Sequence, residues 1–132
     1  MTTFVDTSAL IALLDRGEAR HADCARAWKK LLTDDSALVT TSYVVVETCA
    51  VAQRRLGMDA VRALTTDFLP LLSVDWVDES LHSAGHAAML TANQRDLSLV
   101  DCVSFEVMRR RHIARVLALD ADFGRQGFSV VP

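Results

Sequence analysis

Residues 1–15 read MTTFVDTSALIALLD, and the turn at Asp6 decides how the chain is read. An apolar, β-favouring stretch, Thr3-Phe4-Val5, runs into a carboxylate. Two hydroxyl residues follow at once, then the apolar run ALIALLD at helical spacing. That is a strand feeding directly into a helix, with Ser8 available to cap it. Asp6 carries more charge than a turn requires, and a carboxylate resists burial unless a partner compensates it. The partner must be sought elsewhere in the chain.

The alternation continues outward from that unit. Helical spacing of Cys24, Trp28, Leu31 and Leu32 predicts a helix from His21 to Leu32. ALVTTS at 37–42 reads as a second strand, with Thr41 or Ser42 capping a helix from Tyr43 to Arg54. Val44, Val45 and Val46 pull that segment towards strand, because β-branched side chains are stiff in helices. Gly57 breaks the chain before a helix over 59–68. A third strand is expected over 70–74, a helix over 76–90, and another helix from Ser98. ARVLALD supplies a fourth strand near 115–118, residues 120–125 a short turn or helix, and FSVV at 128–131 an edge strand. Short strands separated by helices imply an α/β three-layer fold, a four- or five-stranded parallel sheet flanked by helices.

Composition agrees. The chain has 132 residues, 51% of them hydrophobic, with only 5 Gly and 2 Pro, which excludes a disordered polypeptide and fits one domain over 1–132. Its 17 acidic and 14 basic residues leave a net charge of −3, so it is no basic nucleic-acid coat protein. An acidic total still permits an enzyme of polyanions, because bound divalent cations reverse the local charge of a carboxylate cluster. Cys24, Cys49 and Cys102 form no C-x-x-C pair and read as small buried residues. His82 and His86 share a helix face, but HSAGH is not a zinc-protease motif. Apolar runs are short and interrupted by charge, so neither a signal peptide nor a membrane span is expected, and the cytoplasm is the expected compartment.

In a parallel α/β sheet, active groups lie outside the carboxyl ends of the strands. Asp6 follows strand one and Asp120 follows strand four. Glu47 sits in the first turns of the helix after strand two, and Asp101 in the first turn of the helix entered at Ser98. Four acids from four segments thus converge at one sheet end, and one or two Mg²⁺ or Mn²⁺ ions held jointly would be the partner Asp6 lacks. Hard cations prefer oxygen ligands, and ions held this way activate water at a phosphodiester. Each acid also has a structural reading: Asp6 as a turn or cap residue, Glu47 as an exposed helix residue, and Asp101 as half of a capping box with Ser98. Asp122 reads as a surface residue rather than a spare site acid; Asp96 is open between the same two readings, or caps or braces the helix entrance.

The four segments together resemble the PIN-domain nucleases, specifically the VapC-type toxins of toxin–antitoxin pairs. FVDTSALIALL (4–14) resembles the opening strand with the first acid, Asp6. TTSYVVVETCA (40–50) is similar to the segment of the second acid, Glu47. RDLSLVDCVSFEVMRRR (95–111) resembles the third-acid helix, Asp101, and VLALDADFGRQGF (116–128) the final segment, Asp120. The resemblance implies a Mg²⁺- or Mn²⁺-dependent endoribonuclease acting on structured RNA such as transfer or ribosomal RNA, a homodimer, and a cognate antitoxin protein. It also implies a hydroxyl beside the first acid, from Thr7 or Ser8, with Ser8 favoured. Ala121-Asp122 departs from relatives that carry a basic residue and then histidine or aspartate.

Arg109, Arg110, Arg111, His112 and Arg115, with Arg54 and Arg55, are candidate phosphate contacts, or solvated helix ends. Trp28, Trp76, Tyr43 and the methionines read as core or interface packing. Competing functions are a PIN-fold nuclease of DNA or of RNA processing outside a toxin pair, and a non-catalytic binding protein. An aspartyl-phosphate enzyme is disfavoured, because the only lysines, Lys29 and Lys30, lie in an early helix.

Overall fold

The computed structural model describes all residues, 1–132. Strand β1 (Thr2–Val5) passes through Asp6 into helix α1 (Thr7–Leu14), and helix α2 (His21–Thr33) returns to strand β2 (Ala37–Thr41). Helix α3 (Ser42–Arg55) and the short helix α4 (Met58–Ala63) follow, then strand β3 (Ser73–Asp75), helices α5 (Glu79–Ala92) and α6 (Leu99–Arg110), strand β4 (Arg115–Leu117), helix α7 (Asp122–Arg125) and strand β5 (Ser129–Val131). All five strands are parallel, in the order β3-β2-β1-β4-β5. Chain direction along the sheet reverses around β1, between β2 on one side and β4 on the other. A crevice opens at such a switch point.

The valines of α3 are the clearest contest between propensity and context. Thr41 Oγ1 accepts the Val44 N–H at 3.1 Å and starts the helix. Val44, Thr48 and Ala52 then point inward at helical spacing, while Val46 is left 66% exposed. Burial along one stripe outweighs the small β preference of valine.

Three boundaries differ from the sequence reading. Pro70 lies in a 3₁₀ turn (Leu69–Leu71) rather than in β3, as suits a residue with fixed φ and no N–H to donate to a ladder. The helix expected over 59–68 is α4 plus one π turn (Leu64–Phe68). There the Thr65 and Thr66 hydroxyls donate to the carbonyls of Val61 and Arg62. Helix α5 starts at Glu79, not Trp76, because Asp78 caps it by accepting the Leu81 N–H at 2.8 Å. Trp76 is consequently 79% exposed, so a core role for it is excluded.

Phe4, Val5, Val39, Val116 and Leu117 form the strand layer of a core cluster that also takes Trp28 from α2 and Phe105 from α6. Phe123 is fully buried, with its ring edge-on to Phe105 at 5.0 Å, which pins α7 to α6. Gly85 lets α5 press against α6: a Cβ there would stand 2.4 Å from Val103 Cγ2 and 3.2 Å from its Cα. The three cysteines are free, with Cys24 and Cys102 buried. No helix is long and apolar enough to cross a membrane.

Candidate metal centre

At the carboxyl ends of β1 and β4 lies an open cleft of about 440 Å³. Asp6, Glu47, Asp101 and Asp120 all line it, so the four segments deliver their acids to one place. Thr7, Ser8 and Ser98 line it as well.

Each of three acids is anchored by one oxygen and leaves the other without a protein donor. Asp6 Oδ2 accepts the Ser8 N–H at 3.2 Å and the Ser8 hydroxyl at 2.6 Å. Asp101 Oδ2 accepts the Ser98 N–H at 3.1 Å, and Ser98 Oγ accepts the Asp101 N–H at 3.1 Å in return. The capping box is therefore real, yet it occupies only one oxygen of Asp101. Asp120 Oδ1 accepts the Asp122 N–H at 2.9 Å. Glu47 takes part in no side-chain hydrogen bond or ion pair and reaches the cleft from the second turn of α3.

The electrostatics follow from this crowding. Burial drives the Asp6 carboxyl up to about 6, against the lowering effect of the Ser8 hydrogen bonds, with the Asp101 charge adding to the rise. Burial also raises Asp101, opposed by Ser98 and reinforced by Asp120 and Glu47. Asp120 is raised by burial and by the charge of Asp122. Like charges gathered in a partly dehydrated cleft without a cation between them have this signature.

Two positions correct the sequence reading. Ser8 does not cap α1; Asp6 does, by taking the Ser8 N–H. Ser8 instead links the two strand ends, because its hydroxyl also accepts the Leu119 N–H at 3.0 Å. The Thr7 hydroxyl is buried and has no hydrogen-bond partner. Asp122 is not a surface residue: its side chain is 14% exposed, and oxygens of Asp101, Asp120 and Asp122 lie within 4.8 Å of one another. Asp96, by contrast, is exposed and outside the cleft.

An all-oxygen trio this tight, beside Asp6 and Glu47, fits a hard divalent cation. The donor set contains no thiolate or imidazole that would select a softer ion. The histidines lie elsewhere: His82 Nδ1 is hydrogen-bonded to Tyr43 Oη, and His21 Nδ1 to the Ala12 carbonyl.

Sequence reasoning passed over Glu18 and took Arg55 only as one of several candidate phosphate contacts, although both line the cleft. Arg55 was legible, since Glu47, Val51 and Arg55 are spaced by four and share one face of α3. Glu18 sits in an irregular loop and leaves no periodic trace. None of the larger basic cluster lines the cleft. Arg109 donates to Gln126 and lies over the Phe105 and Phe128 rings, and Arg111 pairs with Asp75 at 3.0 Å. Arg115, at the start of β4, donates to Thr3 and Ser36.

Comparison with known proteins agrees with this geometry. The 23S rRNA-specific endonuclease VapC20 of Mycobacterium tuberculosis is 33% identical over 126 residues, which cover 95% of this chain and 94% of that protein. The crystal structure of M. tuberculosis VapC20, described as a Sarcin-Ricin loop cleaving toxin, superposes with a TM-score of 0.87 at 32% identity over 100% of both chains. VapBC2 from Rickettsia felis, solved with a promoter DNA fragment, gives 0.71 at 11% identity over 98% of this chain and 97% of that one. FitAcB from Neisseria gonorrhoeae gives 0.69 at 15% over 100% and 97%. The last two share the fold. The PIN domain family model matches residues 3–129, nearly the whole chain. With its acids at the switch point of a five-stranded parallel sheet, this chain belongs to the PIN domain family.

Proposed function

We propose that residues 1–132 act as one PIN-type unit, a Mg²⁺- or Mn²⁺-dependent endoribonuclease toxin that cuts structured RNA. The observation that carries this reading is the convergence of Asp6, Glu47, Asp101 and Asp120 on one open cleft, each of the three aspartates with an oxygen to spare. These four acids would hold one or two ions, with Asp122 as a further ligand from the same turn. A divalent ion in this position supplies Lewis acidity and positive charge for phosphodiester hydrolysis.

The chain's own part is to position. Ser8 fixes the Asp6 carboxylate and ties it to the end of β4 through Leu119. Ser98 fixes the free oxygen of Asp101 by holding the other. No serine, cysteine or histidine nucleophile is needed. An open cleft suits a loop whose backbone is exposed, as in folded RNA with unstacked bases. Ribosomal RNA is the favoured substrate, since the relative that is 33% identical is named for 23S rRNA. Such a substrate places the activity in the cytoplasm.

A chain that cuts ribosomal RNA requires restraint, which a cognate antitoxin protein would supply. Val46, Trp76 and Leu90 are 66%, 79% and 65% exposed and provide apolar surface for that partner or for a homodimer.

The deciding experiment is brief expression without antitoxin, followed by transcriptome-wide mapping of new RNA ends, with Asp6→Asn as control. A recurrent cut in one structured RNA, absent with the variant, is the expected result. Identical RNA ends in both samples, with DNA nicked by the purified protein in Mn²⁺, would replace the ribonuclease reading with a deoxyribonuclease one.

A further inference from the structure

We infer that Arg55 is the cleft's grip on the nucleic-acid backbone, binding a phosphate next to the scissile one. The inference deepens the ribonuclease reading and rests on it.

Five carboxylates line the cleft, from Asp6, Glu18, Glu47, Asp101 and Asp120, and Arg55 is the sole basic residue among its walls. A guanidinium in such company would be expected to pair with an acid. Arg55 pairs with none and donates no side-chain hydrogen bond, whereas seven other arginines of this chain are engaged with acids, hydroxyls or an amide. It is exposed, on the last turn of α3, and keeps its full donor set for a ligand.

Position fixes what that ligand is. Arg55 lies two helical turns beyond Glu47 on the same face, roughly 12 Å along the axis. With its backbone that far along α3, an Arg55 side chain extended along the cleft meets the stretch of a bound strand next to the one at the acids. A polyanion lying in the cleft would meet the acids, screened by their cations, at one phosphate and the guanidinium at another. The planar donor fork of arginine matches the two free oxygens of a phosphodiester. Val51, between Glu47 and Arg55, gives that stretch of the wall an apolar surface on which a base or ribose can rest.

Arg54 supplies the internal comparison. It occupies the same last turn of α3 and meets the helix dipole equally, but it does not line the cleft. If Arg55 served only the helix end, the two residues would be interchangeable.

The test uses the full chain and a synthetic RNA hairpin with the sarcin–ricin loop sequence. Binding is measured by fluorescence anisotropy with Ca²⁺ in place of Mg²⁺, at several salt concentrations, and cleavage is measured separately with Mn²⁺. Arg55→Ala should weaken binding about 5- to 20-fold. It should also lower the slope of log affinity against log salt by about 0.7–0.9, the loss of one phosphate contact. Arg55→Lys should restore the slope but only part of the affinity, and Arg54→Ala should change neither. In cleavage, KM should rise while kcat stays within about twofold of wild type. Unchanged binding and slope in Arg55→Ala overturns the inference, whether or not the hairpin is cut. So does a loss of melting temperature confined to EDTA with binding intact, which would make Arg55 a counter-ion of the acids. Arg55-dependent binding without any cleavage by wild type would leave this grip standing and overturn the ribonuclease reading alone.

Discussion

Ser8 holds Asp6 by the same oxygen twice, through its backbone N–H at 3.2 Å and its hydroxyl at 2.6 Å. It thereby sets which carboxylate oxygen faces the cleft. Ser8→Ala should remove the shorter bond and leave the Leu119 N–H without its acceptor. We expect a stability loss of about 1–2 kcal/mol and weaker Mn²⁺ binding, because the helix cap persists but the carboxylate loses its brace. Urea denaturation and a Mn²⁺ titration check both. Unchanged Mn²⁺ affinity would make the hydroxyl purely structural.

Asp6→Asn should abolish RNA cleavage while preserving the fold. The amide oxygen can still accept the Ser8 N–H that starts α1, so the cap survives. In EDTA at neutral pH the variant should melt higher than wild type, since it removes a buried charge that burial and Asp101 both disfavour. A lower melting point in EDTA would show that Asp6 is already neutralised by the protein.

That effect has a defined pH window. Asp6 titrates near 6 when folded, against 3.8 for an unperturbed group. Between these values the folded chain holds a proton that the unfolded chain has released, so stability falls as pH rises from about 4 to about 6. The loss from Asp6 alone is on the order of 3 kcal/mol. Asp101 and Asp120 contribute in the same direction. Metal-free melting curves of wild type and Asp6→Asn should therefore cross over this range, with the variant ahead on the alkaline side. Curves that stay parallel would contradict the assignment.

Asp122→Asn isolates a single ligand. The Asp122 N–H that braces Asp120 belongs to the backbone and is untouched, so only the carboxylate and its pairing with Arg125 are lost. Mn²⁺ affinity should drop about 3- to 10-fold with the melting temperature nearly constant. Calorimetric titration measures this, and equal affinity would place Asp122 outside the coordination.

Gly85→Ala probes the frame on which Asp101 stands. The new Cβ would meet Val103 side chain and backbone together, and the backbone cannot step aside without moving α6. A cost of about 2–3 kcal/mol in urea denaturation is expected. A neutral result would mean that α5 and α6 separate easily.

The sheet was legible because β1, β2 and β4 are short apolar runs closed by polar residues, and three of the site acids stand beside those runs or near a capping serine. Asp122 was not legible. Its place depends on the turn in which Asp120 accepts the Asp122 N–H, and on Phe123 being drawn into the core, neither of which shows in local periodicity. Boundaries failed where a single side chain overruled the pattern, as Asp78 does for α5 and Pro70 does for β3. The basic cluster misled for a different reason. Arg109 to Arg115 look like a phosphate patch in one dimension, but they stand at the C-terminal end of α6 and the start of β4, and none lines the cleft.

Strand order has a consequence for synthesis. Asp6 leaves the ribosome at the start of the chain, yet its neighbour strand β4 and the fourth acid, Asp120, are made near residue 120. Until then β1 has β2 on one flank and nothing on the other, and the crevice between β1 and β4 does not exist. A nascent or truncated chain ending before β4 is an unarmed one, whatever its first hundred residues have folded into. Connectivity alone thus keeps the cluster of acids incomplete until nearly the whole chain has been made.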